Sequence, residues 1–228
     1  MATNPKQLAG EKAALYVENN MVVGLGTGST AFFAIQKLGQ QVSQGLVIRG
    51  IATSEQSRVQ AESENIPLVD FDAITAIDLT IDGADELDPQ FNLTKGGGGA
   101  LLREKIVASL SHTEIIIADE SKLVKKLGAC PLPVEVIPFS WQAMERQLAD
   151  LGSTPKLRTH KDGTPFVTDN GNYIIDCNFG QIDDPPALES TINGICGVVE
   201  CGLFIGLADR IIIGKTDGTT EERTRNSN

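Results

Sequence analysis

Apolar positions first recur at helical spacing close to the N-terminus, where Leu8, Leu15 and Tyr16 share one face and the pattern runs to Val17. Asn4 followed by Pro5 supplies an N-cap and a first-turn proline ahead of it. A continuous apolar run, Met21 to Leu25, then predicts a buried strand that ends in Gly26-Thr27-Gly28-Ser29-Thr30. A helix over Ala31 to Leu38, an extended segment over Val47 to Ala52 and a helix over Ser54 to Glu64 follow. Strands are predicted at Leu68 to Phe71 (short), Ala76 to Ile81 and Glu114 to Ala118, with a helix over Ala100 to Leu110 before the last of these. Strands alternating with helices imply parallel pairing, which predicts an α/β fold with a doubly wound, mostly parallel, Rossmann-like sheet.

The texture changes near Pro131-Leu132-Pro133. Val134 to Ile137 reads as extended, Trp141 to Leu151 as helical and Pro155 to Thr159 as extended. Asp162-Gly163 and Asn170-Gly171 are turn signals around a further short strand at Phe166-Val167-Thr168. Tyr173 to Cys177 is again extended, Pro186 to Asn193 helical and Gly197 to Cys201 a strand. Apart from the extra short strand this is β-α-β-β-α-β, the order of a ferredoxin-like α+β module. The sequence therefore predicts an inserted smaller domain at 131–205 within a larger domain of 1–130 plus 206–228. Arg210 to Ile213 is expected to return to the first sheet, and the polar tail from Thr216 to Asn228 to be frayed.

Composition narrows the partners. With 30 acidic and 19 basic residues the 228-residue chain carries a net charge of −11, which opposes binding to a nucleic-acid backbone. The same charge means that a small anionic substrate would need a local cluster of cations or backbone N–H groups. No run approaches the roughly 18 apolar residues of a membrane span, and Met1-Ala2-Thr3-Asn4-Pro5 is not a secretory signal. Cys130, Cys177, Cys196 and Cys201 lack C-x-x-C spacing, so free thiols in a reducing cytoplasm are expected and structural zinc is not.

Chemistry is concentrated in glycine-rich and acidic segments. Gly24-Leu25-Gly26-Thr27-Gly28-Ser29-Thr30 lies between a strand and a helix, where backbone N–H groups point at an anion. Ser29 stands where a dinucleotide loop needs its third glycine, and the next strand ends in Ala52-Thr53-Ser54 without the acid that would bind a ribose hydroxyl. Hydroxyls at Ser29 and Thr30 suit a single phosphate; a tight turn with a capping serine is the alternative. Gly214-Lys215-Thr216 has the ending of a P-loop without its first glycine. In Asp78-Leu79-Thr80-Ile81-Asp82-Gly83-Ala84-Asp85-Glu86-Leu87-Asp88, Asp82 and Asp85 stand three apart around a glycine at a strand's carboxyl end. Such a pair suits proton transfer, hydroxyl binding or Mg²⁺, or is simply a solvated acidic turn. Lys95-Gly96-Gly97-Gly98-Gly99 precedes a helix and is suited to cradle an anion or oxyanion, with Glu104 about one turn along, although an Arg103-Glu104-Lys105 trio on a helix more often reads as a solvated face. Asp119-Glu120-Ser121-Lys122 follows an apolar strand, and Lys6 opens the first helix. Both lysines can face a cleft or be surface charges, and neither His112 nor His160 belongs to a cluster.

Taken in order, GLGTGST, DLTIDGADELD, KGGGGALLREKIV and DESK closely resemble the type A ribose-5-phosphate isomerases, and the likeness runs from about Lys6 to Ile213. The resemblance implies interconversion of ribose 5-phosphate and ribulose 5-phosphate in the non-oxidative pentose phosphate pathway, without metal or organic cofactor. It implies that Glu104 moves a proton between C2 and C1, that Asp82 assists ring opening and that Asp85 holds sugar hydroxyls. Lys95 with the N–H groups of Gly96, Gly97 and Gly98 would stabilise the enediolate. Thr27, Gly28, Ser29 and Thr30 would bind substrate largely at its phosphate, with Lys122 and Lys6 helping, and Gly83 and Ala84 would line the sugar site beside Asp82 and Asp85. A homodimer or homotetramer is expected. A sugar-phosphate sensor, an amino-sugar phosphate isomerase-deaminase and a CoA transferase are the competing readings.

Overall fold

The computed structural model describes residues 4–225. Asn4 caps the first helix by accepting from the Lys6 N–H at 3.1 Å, and Pro5 opens it. In chain order the elements are α1 (Pro5–Ala14), β1 (Val22–Leu25), α2 (Ala31–Ser43), β2 (Arg49–Ala52), α3 (Glu55–Ser63) and β3 (Leu79–Gly83). There follow β4 (Glu86–Leu87), β5 (Leu93–Thr94), α4 (Leu101–Ser109), β6 (Glu114–Asp119), β7 (Leu132–Val136), α5 (Trp141–Asp150) and β8 (Thr154–Leu157). The last are β9 (Tyr173–Asn178), α6 (Pro185–Asn193), β10 (Val198–Cys201), β11 (Leu203–Phe204), β12 (Arg210–Gly214) and β13 (Thr220–Thr224). Helix α1 stops before Val17 because its last turn tightens, with Leu15, Tyr16 and Val17 each bonding three residues back.

Two compact units emerge. The first holds residues 4–84, 103–123 and 207–225. Its six-stranded sheet runs β13-β12-β6-β3-β1-β2, parallel except for β13. Neighbouring residues on a strand point to opposite faces, and both faces are apolar. Val23, Ile81 and Ile212 join Ala9, Ala13, Ile35 and Leu38 in one core, whereas Val22, Ile51, Ile77 and Val107 form another. That double burial is what continuous apolar strands such as Ile115-Ile116-Ile117 require. The expected strand at Leu68 to Phe71 is reduced to one bridge, Leu68 to Gly50, and a 3-10 turn over Phe71–Ala73. Asp70 and Asp72 favour a turn over a ladder there.

The tail also departs from expectation. Thr220–Thr224 pairs antiparallel with β12 instead of fraying, and residues 226–228 lie outside the described residues. Its polarity is that of an edge strand, where charged side chains are tolerated. Lys215 and Glu221 pair at 2.7 Å, and the Tyr16 hydroxyl donates to Glu222 at 2.6 Å.

The second unit holds 85–102 and 124–206. Its antiparallel sheet runs β10-β7-β9-β8, and the chain order β7-α5-β8-β9-α6-β10 is the ferredoxin-like one. Val134, Val136, Ile175 and Cys177 meet Met144, Leu148 and Ile192 in its core. The short strand expected at Phe166-Val167-Thr168 is reduced to isolated bridges, Thr159 to Pro165 and Val167 to Tyr173. Residues 85–102 and 124–130, placed by sequence in the larger domain, group here instead. The cause is a small sheet, β11-β5-β4, whose two-residue strands carry no periodic signal. Among the described residues no helix is long and apolar enough to cross a membrane.

Candidate active site

In the first unit, the carboxyl ends of three adjacent parallel strands carry the chemistry. β1 ends in the glycine loop, β3 in Asp82 and Gly83, and β6 in Asp119. Open α/β sheets bind ligands at this edge. Asp82 is buried, and its Oδ1 accepts from the Thr27 N–H at 3.0 Å and the Gly83 N–H at 2.7 Å. Gly26 makes this possible, since a Cβ there would sit 2.2 Å from the same oxygen. The Thr27 hydroxyl lies 2.7 Å from both the Thr53 and the Ser54 hydroxyls, so Thr27 braces the loop against the end of β2. Gly28, with φ +107°, has open space where a side chain would stand.

Thr30 is the N-cap of α2 and its side chain makes no capping bond. The capping serine considered from sequence is therefore not present. Ser29 instead accepts from Lys6 Nζ at 2.9 Å. Desolvation pushes the Asp119 carboxyl up, but hydrogen bonds from Ser121 and the charges of Lys6 and Lys122 outweigh it and hold Asp119 below its usual value. Lys6, Ser29, Asp119 and Lys122 thus share one electrostatic neighbourhood, drawn from the start of α1, the β1 loop and the turn after β6. Glu104 lies in the first turn of α4 and is only 5% exposed, where the helix dipole favours an anion.

The remaining sequence-predicted residues lie in the second unit or at its border. Asp85 accepts from the Gly97 N–H at 2.7 Å, and its own N–H donates to the Thr94 carbonyl at 2.8 Å. A Cβ on Gly97 would come within 2.8 Å of that carboxylate, so the close approach needs glycine. Lys95 is 2% exposed; its ammonium lies 5.4 Å from the centre of the Phe204 ring and its N–H donates to the Gly202 carbonyl. Gly96 is buried, whereas Gly97 and Gly98 are exposed, and Gly83 and Ala84 are half-buried. Thus the structure joins Thr27 to Asp82 and Gly83, Lys6 to Ser29, and Asp85 to Gly97.

Sequence reasoning missed several supporting residues. Thr53 and Ser54 carry no signal in the sequence beyond the missing acid. Arg158, which bonds the Gly96 and Gly97 carbonyls, and Asp176, which pairs with Arg158, sit in the insert and match no motif. Glu86 is buried and accepts from the N–H groups of Gly128, Ala129 and Cys130, a role that no local spacing signals. Among the described residues, one group of three potential metal ligands lies within 4.8 Å, namely Glu189, Glu200 and Cys201. It contains none of the predicted site residues.

Comparison with known proteins gives a consistent result. The family described as Ribose 5-phosphate isomerase A (phosphoriboisomerase A) matches residues 49–218. A ribose-5-phosphate isomerase A of Bacillus mycoides (strain KBAB4) is 52% identical over 219 residues, covering 96% of this chain and 99% of that one. One from Listeria monocytogenes serovar 1/2a is 49% identical, covering 96% and 97%. Among solved structures, a D-ribose-5-phosphate isomerase in complex with phospho-erythronic acid superposes with TM-score 0.94 at 41% identity, covering 98% of this chain and all of the other. The ribose 5-phosphate isomerase of Plasmodium falciparum gives 0.93 at 38% identity, covering 97% and 98%.

Proposed function

The chain belongs to the ribose 5-phosphate isomerase A family, and from that premise we propose which of its residues interconvert ribose 5-phosphate and ribulose 5-phosphate. Asp82 assists opening of the furanose ring. Glu104 removes the C2 proton of the open-chain aldose, and the electrons move onto the carbonyl oxygen to give the enediolate. The proton returns at C1, and a hydroxyl proton passes from O2 to O1. Lys95 and the N–H groups of Gly96 and Gly98 stabilise the negative oxygen, whereas the Gly97 N–H is taken by Asp85, which holds sugar hydroxyls beside Gly83 and Ala84. Lys6, Lys122, Ser29, Thr30 and the Thr27-Gly28 backbone take the phosphate. The reaction needs a positioned base and a site for the developing charge, so neither metal nor organic cofactor enters the scheme.

The observation that carries the reading is the bond from Lys6 to Ser29, with Lys6 and Lys122 both near enough to Asp119 to lower its carboxyl, at the same strand edge as Asp82. In a chain of net charge −11, that edge supplies the local cations an anionic substrate needs. The phosphate reading also explains why Thr30 leaves the first N–H groups of α2 without a side-chain cap.

The test is conversion of ribose 5-phosphate by purified protein in EDTA. Rapid turnover that falls by at least about 10²-fold in Glu104→Gln, with the circular dichroism unchanged, supports the assignment. Near-normal turnover in that variant removes Glu104 as base. An unchanged KM in Lys122→Ala removes Lys122 from phosphate binding. Binding without turnover would instead indicate a sensor, and activity only with Mg²⁺ would make the aspartates metal ligands. The family likeness supports a homodimer or homotetramer, which light scattering distinguishes, and the free cysteines support a cytoplasmic location.

A further inference from the structure

We propose that Arg158 is a positioning residue for the isomerisation, aiming the backbone N–H groups of the glycine run through the carbonyls that precede them. The inference rests on the reading of Lys95, Gly96 and Gly98 as the enediolate cradle.

The run is a turn with a soft centre. Gly99 N–H donates to the Gly96 carbonyl at 2.9 Å, which closes four residues with Gly97 and Gly98 in the middle. In such a turn the middle peptide, Gly97 C=O with Gly98 N–H, can flip between the two common turn types, and glycine on both sides makes either orientation cheap. A flip would reverse the Gly98 N–H. Left alone, the turn would therefore not hold that donor in one direction.

Arg158 removes this freedom. Its Nη1 donates to the Gly96 carbonyl at 2.9 Å and to the Gly97 carbonyl at 3.2 Å. Peptides are planar and none here is cis, so each carbonyl points opposite to the next N–H. Holding Gly96 C=O therefore turns the Gly97 N–H away from Arg158, and that N–H does meet Asp85 at 2.7 Å. Holding Gly97 C=O turns the Gly98 N–H away from the guanidinium by the same rule. A cation on the carbonyls also polarises the peptides and strengthens the N–H groups as donors.

The guanidinium is itself fixed from several directions. Nε and Nη2 fork onto the two Asp176 oxygens at 2.9 and 2.5 Å. The Arg158 N–H donates to Ile174 and its carbonyl accepts from the Phe166 N–H, so the backbone is tied into the β9 hairpin. The Phe166 ring lies 5.7 Å from Cζ, and a Cβ on Gly99 would strike the same ring at 2.6 Å. Lysine cannot reproduce a fork on one side and two carbonyls on the other.

The experiment compares Arg158→Met, Arg158→Lys and Asp176→Asn with the unaltered protein. For each, kcat and KM for ribose 5-phosphate are measured, together with the Kd of phospho-erythronic acid, whose carboxylate mimics the enediolate, and of ribitol 5-phosphate, which has no such charge. Arg158→Met is expected to lower kcat about 10–10²-fold with KM changed less than about threefold. It should weaken phospho-erythronic acid by a similar factor and ribitol 5-phosphate by less than about threefold. Arg158→Lys and Asp176→Asn should show the same split at smaller size, and they keep the test open if Arg158→Met does not fold. Equal weakening of both ligands, or unchanged kcat in all folded variants, overturns the proposal. Lys95→Ala is measured in parallel. If it too fails to discriminate the two ligands, the cradle reading is wrong; if it discriminates and the Arg158 variants do not, the role of Arg158 alone is wrong.

Discussion

Replacing Glu86 by glutamine should destabilise the second unit far more than a conservative exchange on a two-residue strand normally does. The carboxylate is 2% exposed and receives four donors. Oε1 accepts from the N–H groups of Ala129 at 2.8 Å and Cys130 at 3.1 Å, while Oε2 accepts from the Gly128 N–H at 2.9 Å and the Thr94 hydroxyl at 3.1 Å. Glutamine keeps one acceptor oxygen. Its NH₂ then faces the Gly128 N–H, which cannot reverse, although the Thr94 hydroxyl can turn and accept. One orphaned buried donor costs about 1–3 kcal/mol, and loss of charge on the remaining bonds adds about 1 kcal/mol, so the total is about 2–4 kcal/mol. Glu86→Ala orphans three N–H groups, leaves a cavity and should cost more than about 4 kcal/mol, a large part of a typical domain's stability.

Urea unfolding followed by the single tryptophan is the assay, because Trp141 opens α5 in this same unit. With a slope of about 2 kcal/mol per molar urea, Glu86→Gln should lower the midpoint by about 1–2 M. A shift below about 0.5 kcal/mol would refute the view that this carboxylate holds residues 128–130 to β4. Turnover should fall as well, since Asp85 directly precedes Glu86 and successive residues of an extended chain face opposite ways, so the segment anchored by Glu86 also carries Asp85 to the Gly97 N–H.

Three further outcomes follow from the geometry. Gly26→Ala should force Asp82 from its bond with the Thr27 N–H, cost about 1–3 kcal/mol in stability and lower turnover at least about tenfold; a normal rate in thermal and kinetic assays would show the contact to be yielding. Of the four cysteines, exposed Cys130 and Cys196 should react quickly with a thiol reagent at pH 8, whereas Cys177, pushed up to about 12 by burial, and buried Cys201 should not; a third fast thiol would contradict this. The Tyr16 hydrogen bond, with help from Arg210, holds the Glu222 carboxyl below its usual value against the effect of burial. Its contribution is therefore present at neutral pH and lost as pH falls through that lowered value, so Glu222→Gln should remove less than about 1 kcal/mol at pH 7 and flatten the acid side of the melting-temperature profile. An unchanged acid limb would exclude the pair.

What could be read directly was whatever repeats or clusters locally. The strand at Glu114–Asp119 is six residues of near-continuous burial, and the cap at Asn4-Pro5 is a two-residue signal, so both stand where the sequence puts them. The glycine loop, the Asp82–Asp85 pair and the run from Lys95 are likewise contiguous, which is why chemistry was legible before any fold. The strand β13 was not, because an edge strand is permitted a polar sequence, and its existence depends on β12 offering a partner. Strands β4 and β5 were not, because two residues have no period and β11 lies more than a hundred positions away.

The division is physical. Sequence alone determined the alternation of elements, the mostly parallel first sheet, the ferredoxin-like insert and the family to which the motifs point, since propensity, burial pattern and close-packed glycines act over a few residues. Only the tertiary structure decided that residues 85–102 join the second unit, that Lys6 meets Ser29 across 23 positions and that Arg158 reaches Gly96 across 62. Those pairings are long-range hydrogen bonds between groups with no local signature, and they exist because packing of distant elements leaves each buried donor and acceptor one place to go.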